Sequence, residues 1–122
     1  MPIDVPAPVA HYLAADAARD TMTLAQCFDQ GAVVRDEGRD YHGLEAIQAW
    51  NRQAHRKYQY VVEPLRATTD GADTRLRVRL TGPFPGSPVE VDYLFTVREE
   101  KITSHCSASL RGLSAHTAPA LR

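Results

Sequence analysis

Phe28-Asp29-Gln30-Gly31-Ala32-Val33-Val34-Arg35-Asp36, followed beyond a turn-like Glu37-Gly38-Arg39-Asp40 by Gly43-Leu44-Glu45-Ala46-Ile47, is the stretch that decides how this chain folds. β-Branched residues cluster at Ala32-Val33-Val34-Arg35-Asp36, which reads as a strand with Ala32, Val34 and Asp36 on one face. A carboxylate therefore follows two apolar residues inward. The period then changes: Leu44, Ile47, Trp50 and Ala54 recur on a helical face. Arg52, His55, Arg56 and Lys57 give the last turn the charge that a helix C-terminus prefers.

Upstream, Pro6 and Pro8 suit a first helical turn, and Val9, Tyr12, Leu13 and Ala17 continue at helical spacing as far as Arg19. Asp20 and Thr21 are N-cap types for a second, short helix carrying Leu24, Ala25 and Phe28, which Gly31 is placed to end. Downstream the period becomes two. Tyr58, Tyr60 and Val62 alternate; Leu76, Val78 and Leu80 alternate with Arg75, Arg77 and Arg79; Val89, Val91, Tyr93, Phe95 and Val97 alternate with Glu90, Asp92, Leu94 and Thr96. Asp70-Gly71-Ala72-Asp73 signals a hairpin, Gly82 to Pro88 a loop, and Glu99-Glu100 a turn into Lys101–Leu110. Four meander strands are expected. Residues 1–112 form one domain in this reading, and 113–122 are too small and polar to repay ordering, so a loose tail is expected.

At 122 residues the chain fits one domain able to bury a core. A net charge of −1 without a Lys/Arg block argues against nucleic acid, and no apolar run reaches bilayer length, so a cytoplasmic protein with no membrane partner is expected. Cys27 and Cys106 stand far apart without a Cys-x-x-Cys pairing and read as two buried reduced thiols. His11, His42, His55 and His116 lack metal-ligand spacing.

Helix, short helix, strand with an Asp, helix, then four long strands resembles the nuclear-transport-factor-two-like superfamily over residues 6 to 110, with the opening stretch as its diagnostic segment. In texture the chain is most similar to SnoaL-like proteins, relatives of ketosteroid isomerases and polyketide cyclases. The resemblance implies a cone-shaped, cystatin-like α+β fold, with N-terminal helices packed in a curved, mostly antiparallel sheet. It further implies a pocket for a small apolar molecule, no cofactor, and a homodimer formed through the outer sheet face.

Site residues carry over one by one. Tyr12 stands where ketosteroid isomerases place a helix-one Tyr that donates to the developing enolate, and Asp36 where their proton-moving Asp lies. That chemistry is coherent: a carboxylate in a dry pocket abstracts a proton α to a carbonyl while a phenol steadies the oxyanion. The family's second Asp falls on Asp92 by gap-free counting back from Ile102, whereas a turn one residue shorter at Glu99-Glu100 puts Tyr93 there; strand alternation favours Tyr93. Phe28 and Asn51 replace two supporting tyrosines. His105-Cys106-Ser107 replaces the His-Trp-Asp run of polyketide cyclases and lacks its acid/base carboxylate. Asp36, Tyr12 and Tyr93 are thus the expected catalytic groups, and Phe28, Trp50, His105 and Asp92 the expected substrate contacts.

Each has a plainer reading. Asp36 closes a turn, Tyr12 and Trp50 fill the core, His105 is a satisfied histidine on a strand face shared with Thr103, Ser107 and Ser109, and the Arg75/Arg77/Arg79 stripe is solvated or dimer-facing surface. An isomerase or cyclase is the leading expectation. A non-catalytic ligand-binding or dimerisation module is the alternative, and a partner-binding domain using the outer sheet face a third.

Overall fold

The computed structural model describes residues 3–109, so the expected tail lies outside the described residues. The order is α1 (Ala7–Ala17), α2 (Thr21–Gln26), β1 (Phe28–Asp36), β2 (Arg39–His42), α3 (Leu44–Tyr58), β3 (Val61–Asp70), β4 (Asp73–Thr81), β5 (Val89–Arg98) and β6 (Lys101–Ser109). The strands form one six-stranded sheet in the order β2-β1-β6-β5-β4-β3. Only β1 and β6 run parallel; the other neighbours are antiparallel. The helices pack on one another, with α3 against β1 and β2. The fold is α+β, a curved sheet wrapped around N-terminal helices.

Local chemistry sets the boundaries. Pro at the first turn starts α1, where a missing N–H costs nothing. Asp20 caps α2 by accepting from the Thr23 N–H. Gln59, at φ +50°, ends α3 in the left-handed conformation.

Several local expectations are revised. The α1 face that goes inward runs through Val9, Tyr12, Ala15 and Asp16, while Ala17 is exposed and Leu13 only half-buried; α1 packs on α2 as well as on β3 and β6. The segment after Asp36 is a tight hairpin rather than a plain turn. Glu37 and Gly38 both take positive φ, +54° and +78°, the backbone hand that lets β2 fold back onto β1. Phe28 opens β1 instead of lying on α2. Glu99-Glu100 makes the expected turn, again with both residues at positive φ. On β6, Thr96 faces Ser104 but Val97 faces Ile102, so Thr103 is an extra residue. That bulge shifts the alternation by one, and Ile102 and His105 both turn into the core in place of a shared Thr103/His105 face. Cys27 is buried, but Cys106 is only half-buried, on the other side of the strand from His105.

Candidate functional site

Asp36 ends β1 on the same face as Ala32 and Val34, both fully buried. Its carboxylate accepts a hydrogen bond at 3.0 Å from the indole Nε1–H of Trp50 on α3. Burial pushes the carboxyl up to about 6, with the neighbouring Glu37 adding to the rise and the Trp50 hydrogen bond opposing it. Asp36 thus titrates close to neutrality.

From Trp50 a chain of rings leads inward. The Trp50 and His105 rings lie 5.9 Å apart, and His105 lies 5.3 Å from Tyr12 and 4.9 Å from Tyr93, all edge to face. His105 also stacks on Phe95 at 4.3 Å, as expected for cross-strand partners on β5 and β6. Phe28 meets the edge of Tyr12 at 5.9 Å. Five elements therefore bring Tyr12, Phe28, Asp36, Trp50, Tyr93 and His105 into one group.

The protonation states within it follow from burial. The phenols of Tyr12 and Tyr93 are pushed well above their ordinary range, mainly by desolvation, and the charges of Asp16 and Asp36 add to the rise. They are neutral donors at any working pH. Desolvation lowers His105 to about 4, so its ring is neutral. Its Nδ1 lies 3.3 Å from the Leu94 carbonyl oxygen, a geometry that needs Nδ1 to carry the proton. Nε2 is then an acceptor, and it is fully buried without a protein hydrogen bond. A basic carboxylate, neutral phenols and a free imidazole acceptor are a set able to move a proton and hold an oxygen.

Asp92 is removed from the set. Leu76 pairs with Tyr93 and Arg77 with Asp92, so successive residues of β5 face opposite sides of the sheet. On the outer side Asp92 accepts from Arg77 Nε at 2.6 Å and lies 3.4 Å from Arg75 Nη1. Strand pleating gives the inward place to Tyr93 and makes Asp92 an ion-pair partner.

A second polar group was not anticipated as a site. Asp16 is 2% exposed and its Oδ1 accepts from Asn51 Nδ2 at 2.9 Å and from His55 Nε2 at 2.7 Å. Arg19 Nη1 donates to His55 Nδ1 at 2.6 Å. Since the guanidinium can only donate and the carboxylate only accept, these bonds fix the ring with its proton on Nε2. His55 also stacks on Tyr60 at 4.3 Å, and the buried Asn51 Oδ1 has no hydrogen-bond partner. The Asp16 charge adds to the burial that raises Tyr12, Tyr60 and Tyr93 alike. The available signal was spacing: Asp16 follows Tyr12 by one helical turn, and Asn51 and His55 are also one turn apart.

Comparison with known proteins agrees with this architecture. The sequence profile of the SnoaL-like domain matches residues 9–105. A protein from Sinorhizobium meliloti with a provisional polyketide cyclase designation is similar at 39% identity and TM-score 0.83, over 85% of this chain and 95% of that one. A hypothetical protein from Catenulispora acidiphila with a ketosteroid isomerase-like fold, solved with trimethylamine, shares 23% identity and TM-score 0.75 over 88% of both chains. An NTF2-like protein of unknown function from Cytophaga hutchinsonii shares the fold at 12% identity and TM-score 0.73, over 95% of this chain and 98% of that one. No functionally curated sequence matches the chain. No helix among the described residues is long and apolar enough to cross a membrane. With the profile spanning most of the domain and the fold shared throughout, the chain belongs to the SnoaL-like domain family.

Proposed function

We propose that this protein is a cofactor-independent isomerase- or cyclase-like enzyme that moves a proton beside a carbonyl of a small apolar substrate. Asp36 is the base, Tyr12 and Tyr93 hydrogen-bond the oxygen on which charge develops, and Phe28, Trp50 and His105 contact the substrate. The observation that carries this reading is the Asp36–Trp50 pair at the edge of the buried phenol and imidazole group. A carboxylate raised to about 6 is still largely ionised at neutral pH yet is a stronger base than an ordinary one. Neutral phenols suit an enolate-like oxygen, because they donate without first being charged.

The reaction class is testable before any natural substrate is identified. In D2O the protein should accelerate exchange of the α hydrogens of a planar ketone such as 2-tetralone, followed by NMR. Asp36→Asn should reduce that acceleration at least about a hundredfold, the usual scale of a general base. Equal rates for Asp36→Asn and the unaltered protein would remove Asp36 from the role. A second reading, a non-catalytic binder of an apolar molecule, draws on the position of Asp92, which Arg77 holds on the outer side of the sheet, away from Tyr93. Tight binding of the ketone without exchange would favour it.

A further inference from the structure

A separate feature lies where the ends of α1 and α3 meet the start of α2. Arg19, Thr21, Arg52, His55 and Arg56 line an open hollow of about 320 Å³. Three arginines and no acidic residue line it. The acids nearest in sequence are committed elsewhere: Asp20 caps α2 through the Thr23 N–H and hydroxyl, and Asp16 lies beneath, held by Asn51 and His55.

Four arginines of the sheet are ion-paired: Arg35 with Asp40, Arg75 with Asp92, Arg77 with Asp92 and Glu90, and Arg79 with Glu63 and Glu90. Around the hollow, Arg19 instead donates to a neutral imidazole nitrogen, and Arg52 reaches only the Thr21 hydroxyl, at 3.5 Å. Arg19 also takes φ +59° just past the end of α1, a position that ordinarily favours glycine. Three like-charged side chains around one hollow repel one another, and an oxyanion bound among them relieves that repulsion and can accept from several.

We infer that this hollow is a binding site for a phosphate-type oxyanion, with Arg52 and Arg56 as its outer clamps, Arg19 and Thr21 as inner donors, and His55 as its floor. The site stands apart from the Asp36 reading and does not depend on it. The anion comes either as the free ion or as the phosphoryl group of a small organic ester.

The test is calorimetric titration with inorganic phosphate and with phenyl phosphate at fixed ionic strength, with chloride as control and the His55 Nδ1 resonance followed by 15N NMR. Saturable binding with a shift of that resonance is expected. Arg52→Gln with Arg56→Gln, both on the solvent side of α3, should weaken it at least about tenfold, with an unchanged Tm in phosphate-free buffer. Asp36→Asn should bind phosphate normally, so failure of one assignment leaves the other standing. Tighter binding of phenyl phosphate than of phosphate identifies an ester, and equal binding the free ion. A phosphate response no different from that of chloride, or undiminished in the double variant, overturns the site.

Discussion

The two faces of the sheet treat their polar groups in opposite ways. On the outer face Asp92 lies between Arg75 and Arg77, and Glu90 and Glu63 serve Arg77 and Arg79, so charge meets charge across neighbouring strands. On the inner side Asp36 accepts from the Trp50 indole N–H with no arginine paired to it, and the buried His105 Nε2 and Asn51 Oδ1 have no hydrogen-bond partner. Buried polar atoms left unpaired cost free energy that folding alone has no reason to accept. The outer face pairs its charges, whereas the inner side keeps buried acceptors without partners.

The contrast can be broken most severely at Asp16. Replacing it by Ala strands the Asn51 amide and the His55 N–H in a buried place, and a loss of about 3 kcal/mol is expected in denaturant unfolding. A loss below about 1 kcal/mol would mean that water already serves those donors.

Asp36→Asn should act in the opposite direction, and only at high pH. The folded state raises Asp36 to about 6, so it holds that proton more tightly than the unfolded chain does. The resulting penalty is complete above the folded value and disappears as pH falls toward the ordinary carboxylate value. The variant, whose amide oxygen still accepts from Trp50, should therefore be more stable by about 2 kcal/mol at pH 8, allowing for partial solvent access, and equal at about pH 4. His105 adds a counter-slope. Its folded value of about 4 lies below its unfolded one, so its contribution is lost as pH falls from about 6.5 to 4. In the unaltered protein the two slopes oppose each other across that window, and Asp36→Asn should expose the acid-side decline in thermal melts.

The mildest change is expected on the outer face. Asp92→Asn keeps the shape, leaves Arg77 its Glu90 partner and lets Arg75 reach solvent, so about 1 kcal/mol should be lost, with ketone exchange unaltered. A fall in exchange would place Asp92 back in the site.

What was legible in the sequence is what depends on short-range pattern. The Ala32/Val34/Asp36 face, the alternation of β4 and β5 and the Glu99-Glu100 turn are carried by neighbours two or three residues apart. Tyr93 rather than Asp92 on the inner side followed from the same alternation. The Trp50–Asp36 hydrogen bond spans a strand, a hairpin and a helix, and no local pattern encodes it. Asp16, Asn51 and His55 escaped because a polar residue on a helix ordinarily marks the solvent side; here Asp16 accepts from the other two inside. The inward turn of both Ile102 and His105 needed the bulge at Thr103, and a single extra residue has no hydropathy signature.

The central claim is that Asp36 is a carboxylate kept basic by its enclosure beside Trp50 and the buried rings. A 13C titration of the Asp36 carboxyl, read together with the Trp50 indole N–H resonance, measures it directly. The account predicts a midpoint near 6 with the indole signal moving in step. A midpoint near the ordinary carboxylate value, with an indole signal indifferent to pH, would contradict it.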